Sequence, residues 1–351
     1  MHNEWKKFLQ DQQAVIDAQG QLRFASAAAE AHAVNEQNVI ADLSPLGIIR
    51  VSGEDAGDFL QGQFSNDVKL VDEQTAQLSS YCNPKGRILA SFWLYREGDA
   101  FYMLLPAETV AATLKRLRMF VLMSKVSLKD VSETSACLGL AGEGAAAGLE
   151  QQLGSAPVTA GQSCHHNGLT AIHLPGERPR YLVIGPINRL QSLWQALVQD
   201  LTPVGYQAWQ LLDIETGLPS VYAANVEAFV PQMLNLHAID GVSFKKGCYP
   251  GQEIVARMHY LGKLKRRMYR AHIDSDSLPG IGDEVVTPDS QGGQGTGRIV
   301  MASPAPQGGY EVLAVIQVSS AEQGDVHLQS IEGPRLDFID LPYEVPLERE
   351  A

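Results

Sequence analysis

The chain has 351 residues, 27 of them basic and 40 acidic, for a formal net charge of −13. At roughly 100–200 residues per domain this length predicts two or three domains, and 45 % apolar with 19 % charged residues is ordinary globular composition. The acidic balance excludes a protein that coats nucleic acid with its whole surface. The absence of a signal-like N-terminus, of any run of about 18 apolar residues, and of zinc-like or C-x-x-C spacing predicts a cytoplasmic protein with reduced thiols and no membrane partner.

Residues 1–36, rich in Gln and Ala, read as a helical or loose lead-in. Patterning begins at Asn38. Residues 46–51 predict a strand, and Ser52-Gly-Glu-Asp55 a capping box opening a helix through Phe59 and Leu60. Three strands are predicted over 76–82, 88–95 and 100–105. Pro106 suits a first helical position, and Val110, Leu114, Leu117 and Val121 recur behind it at helical spacing. A strand over 126–131 completes a ferredoxin-like β-α-β-β-β-α-β order with one extra strand.

A similar order follows: strand 135–141, helix 143–153, strands 169–174 and 180–184, then a helix behind Pro186 with Leu190, Leu193, Trp194, Leu197 and Val198 on one face. Residues 205–217 predict a helix stopped by Gly217 and Pro219. After residue 268, Gly- and Pro-rich turns between short apolar runs predict a small β-barrel or sandwich. The glycines at 292–297 lack the Lys-Ser/Thr of a phosphate loop. The predicted class is α+β: two ferredoxin-like subdomains and a C-terminal β-barrel. The expected segments are 1–36, 37–131, 132–204, 205–267 and 268–351.

The segment Ser243-Phe-Lys-Lys-Gly-Cys-Tyr-Pro-Gly-Gln-Glu253 is the main candidate for chemistry. Lys245 and Lys246 place positive charge beside Cys248, which favours a thiolate. Gly247 and Gly251 allow tight turns and close backbone approach, and Pro250 stiffens the loop. Glu253 can serve as acid, base or hydrogen-bond acceptor. The competing reading is a structural cysteine in a tight turn. From Lys245 to Arg270 eight basic residues (Lys245, Lys246, Arg257, Lys263, Lys265, Arg266, Arg267, Arg270) face one acid, Glu253, a local +7 on a body of −20. Such a strip predicts an anionic partner, with Tyr249, His259, Tyr260 and Tyr269 as interleaved aromatics. Cys164-His165-His166 lacks third and fourth ligands at workable spacing, so no metal site is expected. Cys82 and Cys137 fall in strand patterns and read as core.

Lys246-Gly-Cys-Tyr-Pro-Gly-Gln-Glu253 resembles the K-G-C-[FY]-x-G-Q-E signature of YgfZ-type folate-binding proteins, a branch of the glycine-cleavage T-protein (aminomethyltransferase) superfamily. The resemblance covers about 38–345 and leaves 1–36 outside. It includes Phe59-Leu-Gln-Gly-Gln-Phe-Ser-Asn-Asp67, Asn83-Pro-Lys-Gly-Arg87, Trp209-Gln-Leu-Leu-Asp-Ile-Glu-Thr-Gly-Leu-Pro219 and Phe229-Val-Pro-Gln232. It implies a ring of three subdomains with tetrahydrofolate, or a one-carbon derivative, near the centre. It also implies that Glu215 faces the pterin edge, where a carboxylate can accept two parallel N–H bonds, and that Trp209 offers a flat ring for stacking. Gln63, Asn66, Asp67, Asn83, Tyr249, Gly251 and Gln252 complete the implied folate site. Cys248, Lys246 and Glu253 form the implied reactive group. Leu46 stands where the family's second tryptophan is expected, and His237 and His259 are further candidates for the pocket lining.

T-proteins follow their N-x-x-G segment with an aspartate pair; here Ala90-Ser91 takes that place, and neither residue is a carboxylate. The expectation is therefore a folate-binding accessory protein that supports iron–sulfur enzymes or their assembly factors, and through them tRNA thiomethylation by tRNA-modifying enzymes. One cysteine cannot hold a cluster that takes about four thiolates, so a cluster role is shared with a partner. Two alternatives stand beside it: an aminomethyltransferase-like C1 transferase, and a protein that binds tRNA directly through the Lys245–Arg270 strip.

Overall fold

The lead-in is built into the core. In the computed structural model, which describes residues 3–17, 20–262, 264–288 and 295–345, the helix Asn3–Asp11 buries Trp5 and Leu9 completely. These residues lie four apart with Phe8 packed beside them, and the rest of the helix is polar, so one narrow stripe faces inward. The indole Nε1 of Trp5 donates to Asp42 Oδ1 at 2.9 Å. A second helix, Ala27–Glu36, follows, capped by Ser26 Oγ accepting from Ala29 N.

The chain packs as two units interleaved along the sequence. The first comprises Met1–Leu60, Val68–Gln77 and Phe92–Leu212; the second comprises Gln61–Asp67, Leu78–Ser91 and Asp213–Ala351. The five expected segments run in chain order, which these units do not.

In the first unit a six-stranded sheet runs in the order Ser163–His166, Leu169–Leu174, Arg180–Pro186, Ser135–Ala141, Val39–Asp42 and Thr202–Val204. All neighbours are antiparallel except the last pair. This corrects the segment boundaries: Val39–Asp42, expected in the first subdomain, joins the sheet of the second. Its four residues are all buried, and a strand buried on both faces belongs inside a sheet. A second set of strands pairs Ile88–Glu97, through Trp93–Glu97, with Ala100–Pro106, then Leu46–Ser52, then Ser127–Asp130.

Helix starts also differ from expectation. The capping box is not formed, because Ser52 remains in its strand and the helix opens at Ala56. The carboxylate of Asp55 instead accepts from Lys125 N at 2.7 Å. Pro106 and Pro186 are N-caps rather than first helical residues; their helices run Ala107–Val121 and Ile187–Leu197.

The second unit carries the C-terminal sheet, curled into a half-barrel. Its order is His327–Leu328, Glu284–Val286, Gly297–Pro304, Tyr310–Gln317, Arg266–Ile273 and Leu336–Ile339, antiparallel throughout. Ala271, Ile273, Ile299, Ala314 and Ile316 fill its inner face. The same unit contains the turn 83–87 and a helix, Gln252–Leu261, where the sequence reading had only a loop. Residues 292–294 of the glycine run and Lys263 lie outside the described residues.

Candidate functional site

Within the second unit, two motifs far apart in sequence are laced together by main-chain and side-chain hydrogen bonds. Ser243 N donates to Ser65 O at 3.0 Å and Ser65 Oγ donates to Gly241 O at 3.2 Å. Asn66 Nδ2 donates to Leu78 O and Asp240 O at 2.9 and 2.6 Å, while its Oδ1 accepts from Asp67 N at 2.9 Å. Asn66 therefore uses its amide to hold three pieces of backbone. Ser65, Asp240 and Gly241 were missed by the sequence reading. The polar triplet Ser65-Asn66-Asp67 inside an apolar run was the available signal.

Lys246 closes this lacing. Its Nζ donates to the carbonyl oxygens of Gln61, Phe64 and Asn66 at 2.7, 2.5 and 3.0 Å. An ammonium has three donors and no acceptor, so three carbonyls satisfy it completely. Burial pulls its pKa down to about 8, with the nearby Asp67 carboxylate opposing. At neutral pH the group stays protonated and the cage stays matched. The Lys246 ammonium also sits 5.3 Å from the centre of the Tyr249 ring. Lys246, expected to act on the thiol, is committed to these carbonyls.

The result is a short presented turn. Lys246 and Tyr249 are buried at 8 % and 7 % exposure, whereas Gly247 and Cys248 between them are exposed. Burial pushes the Tyr249 phenol well above its ordinary pKa, which keeps it neutral and apolar. Of the four free cysteines, Cys82 and Cys137 are buried, Cys164 is partly buried and Cys248 is exposed. Burial pushes the Cys82 thiol up to about 12 and the Cys137 thiol up as well. Gln252 Nε2 reaches back to Gly247 O at 3.5 Å, and Glu253 is exposed in the first helical turn.

The turn rests on a backbone-to-backbone contact. Gly251 has φ +83° and caps the helix Gln252–Leu261. A Cβ there would lie 2.4 Å from Asn83 O and 2.7 Å from Gly86 N. Asn83 shapes the facing turn: its Oδ1 accepts from Lys85 N and Arg87 N at 2.8 and 3.0 Å, and its Nδ2 donates to Glu227 Oε1 at 2.8 Å. Asn83 and Gly251, both expected to touch folate, are thus the two sides of one packing contact.

Other expected site residues stand elsewhere. Trp209 lies in the first unit, 1 % exposed, with its ring against Gly139, where a Cβ would come within 2.5 Å. The Arg180 guanidinium sits 5.6 Å from its centre. Glu215, in the second unit with Arg270, has Oε1 3.9 Å from Arg270 Nη2 and a side chain 24 % exposed. Gln63 Oε1 is buried and accepts no hydrogen bond from the described residues. Asp67 Oδ1 accepts from Gln61 Nε2 at 2.9 Å. His259 stacks on Phe244 at 3.6 Å.

The GCVT N-terminal domain family matches residues 4–172. The tRNA-modifying protein YgfZ of Colwellia psychrerythraea is 32 % identical over 298 residues, 84 % of this chain and 89 % of that protein. The chain belongs to the YgfZ family. The YgfZ of Pectobacterium carotovorum is 29 % identical over 93 % of this chain and 97 % of its own length. The crystal structure of glycine cleavage system aminomethyltransferase T from Bartonella henselae superimposes with a TM-score of 0.74, covering 96 % of each chain at 16 % identity. That likeness establishes the aminomethyltransferase fold.

Two expectations for this YgfZ-family chain are corrected. The family match begins at residue 4, so the lead-in belongs to the domain rather than outside it. The basic strip does not present all of its cations outward. Lys246 is caged, Arg270 Nε donates to Glu311 Oε2 at 2.7 Å, and Arg267 donates to Val345 O at 3.2 Å while lying over Tyr269. A strand sends alternate residues to opposite faces, which disperses charges that are adjacent in sequence. No helix among the described residues is long and apolar enough to cross a membrane.

Proposed function

We propose that this YgfZ-family chain is a tetrahydrofolate-binding accessory protein in which Cys248 is the reactive thiol. It would serve iron–sulfur enzymes and, in keeping with the names of its relatives, tRNA modification. The observation that carries this reading is the presented turn: Lys246 and Tyr249 are locked inside, and Cys248 between them is held out. A merely structural cysteine would be expected inside, as Cys82 and Cys137 are. The residues also suit the cofactor. The buried Gln63 Oε1, which has no hydrogen-bond partner among the described residues, and the partly exposed Glu215 carboxylate are acceptors of the kind an aminopyrimidine N–H edge requires. Bound tetrahydrofolate would supply a one-carbon carrier, and these side chains would orient it.

The C1-transferase alternative is less well supported. Ala90 and Ser91 are buried, and Ser91 Oγ is occupied in accepting from Val221 N at 2.9 Å. No carboxylate stands at either position to move a proton.

Titrating tetrahydrofolate against intrinsic tryptophan fluorescence tests the cofactor. Wild type should bind, and Glu215→Gln should bind about tenfold more weakly, the effect of losing roughly one charge-assisted hydrogen bond. No binding by wild type would remove the reading. Cys248→Ala should abolish complementation of a cellular iron–sulfur or tRNA-thiomethylation defect while leaving folate affinity within a few-fold. An unimpaired Cys248→Ala strain would show that the thiol is not the reactive group.

A further inference from the structure

Strand register places two arginines on the outer face of the half-barrel. Met268 lies opposite Val315, and Val315 lies opposite Arg298, so these three share a face. Arg266, two residues before Met268, points to the same side. The opposite face holds the barrel core, including Ile299, Ala314 and Ile316. Arg266 and Arg298 line a cavity of about 570 Å³ together with Arg87 from the turn 83–87. Three cations are thus delivered to one concavity from three separate elements, all in the second unit.

Their existing partners leave donors to spare. Arg87 uses Nη1 on Ala228 O at 2.7 Å. Arg298 Nη2 is 3.6 Å from Glu284 Oε1, a loose pair with both side chains half exposed. Glu227, the other lining carboxylate, accepts from Asn83 Nδ2. The Arg266 side chain has no hydrogen-bond or ion-pair partner among the described residues, and the residue is half-buried. No nitrogen of Arg266 is among the buried partnerless atoms, so its guanidinium is open to an incoming oxyanion.

The size and lining narrow the ligand. Guanidinium forks match oxyanions in bidentate fashion. A terminal phosphate brings nearly two charges and three acceptor oxygens, enough for three forks, whereas a single carboxylate brings one charge and two oxygens. The volume is ample for more than a phosphate, and Phe229 contributes an apolar aromatic wall. We infer that this cavity binds the phosphate of a nucleotide, with Arg87, Arg266 and Arg298 as its clamp. The site goes beyond the folate reading and does not depend on it.

Calorimetric titration of the full chain with AMP, adenosine, a short single-stranded RNA and triglutamate tests the inference. AMP or the RNA should bind, adenosine should bind at least tenfold more weakly, and affinity should fall as salt rises. Arg266→Gln and Arg298→Gln should each weaken binding at least tenfold with unchanged melting temperatures. Saturation by AMP identifies a free nucleotide as the source; binding of the RNA alone, and only when it carries a 5′ phosphate, identifies the terminal phosphate of an RNA. Overturning results are no binding of either, equal affinity for adenosine, undiminished affinity in Arg266→Gln, or tighter binding of triglutamate than of any nucleotide. Folate affinity measured on the same Arg266→Gln protein should be unchanged, which separates failure here from failure of the folate reading.

Discussion

Lys246→Met should destabilise the protein by about 3–5 kcal/mol, the range for removing one partner of a buried charged network. Methionine fills similar volume but donates nothing. The carbonyls of Gln61, Phe64 and Asn66 would then be left facing a thioether. Lys246→Arg should not restore stability, because a planar guanidinium cannot aim three donors at a cage built around one ammonium. Chemical denaturation followed by circular dichroism would show the loss as a lower midpoint at unchanged slope. A shift under about 0.5 kcal/mol, the size of an ordinary surface change, would mean the cage is not a structural anchor. The functional consequence follows from position. Lys246 is one of the two buried residues that flank Cys248, so losing the cage frees the turn that presents the thiol.

The two glycines that flank the cysteine turn should give opposite results. Gly251→Ala should cost about 3 kcal/mol or more, combining a left-handed backbone with a clash against main chain. Its new Cβ would sit 2.4 Å from Asn83 O, and the facing turn is held by three hydrogen bonds from one side chain, so it cannot easily retreat. Gly247→Ala should stay within about 0.5 kcal/mol of wild type, because a Cβ there meets nothing within 4 Å. Thermal melts of the two variants make the comparison directly. Equal destabilisation would show that the contact between Gly251 and the turn 83–87 does not hold the site.

Within the site, residue types were legible but their assignments were not. The motif around Cys248 stood out because lysine, cysteine, proline and two glycines in eight residues have few bland explanations. Sequence could not show that Lys246 turns inward. A lysine beside a cysteine looks like an electrostatic activator until three carbonyls from 61–66 are found around its ammonium. Asn83 and Asn66 were ambiguous in the same way: amides serve ligands and turns equally well, and only the fold shows both holding backbone.

The strands that alternate or run apolar, the helices behind Pro106 and Pro186, and the change of texture after residue 268 were determined by local pattern alone, because side-chain period and backbone restriction are local properties. The K-G-C-Y-x-G-Q-E stretch likewise carried the family. Tertiary structure decided what depends on long-range pairing. It placed Val39–Asp42 in the later sheet, Trp5 in the core, and Arg87 beside Arg266 and Arg298. It also turned Lys246 of the +7 strip inward and paired Arg270 with Glu311, since a run of charge becomes a surface only if the backbone turns every member the same way. Contacts between residues 180 positions apart, such as Lys246 to Asn66, leave no periodic trace in a single sequence. They exist only once the chain has closed those loops.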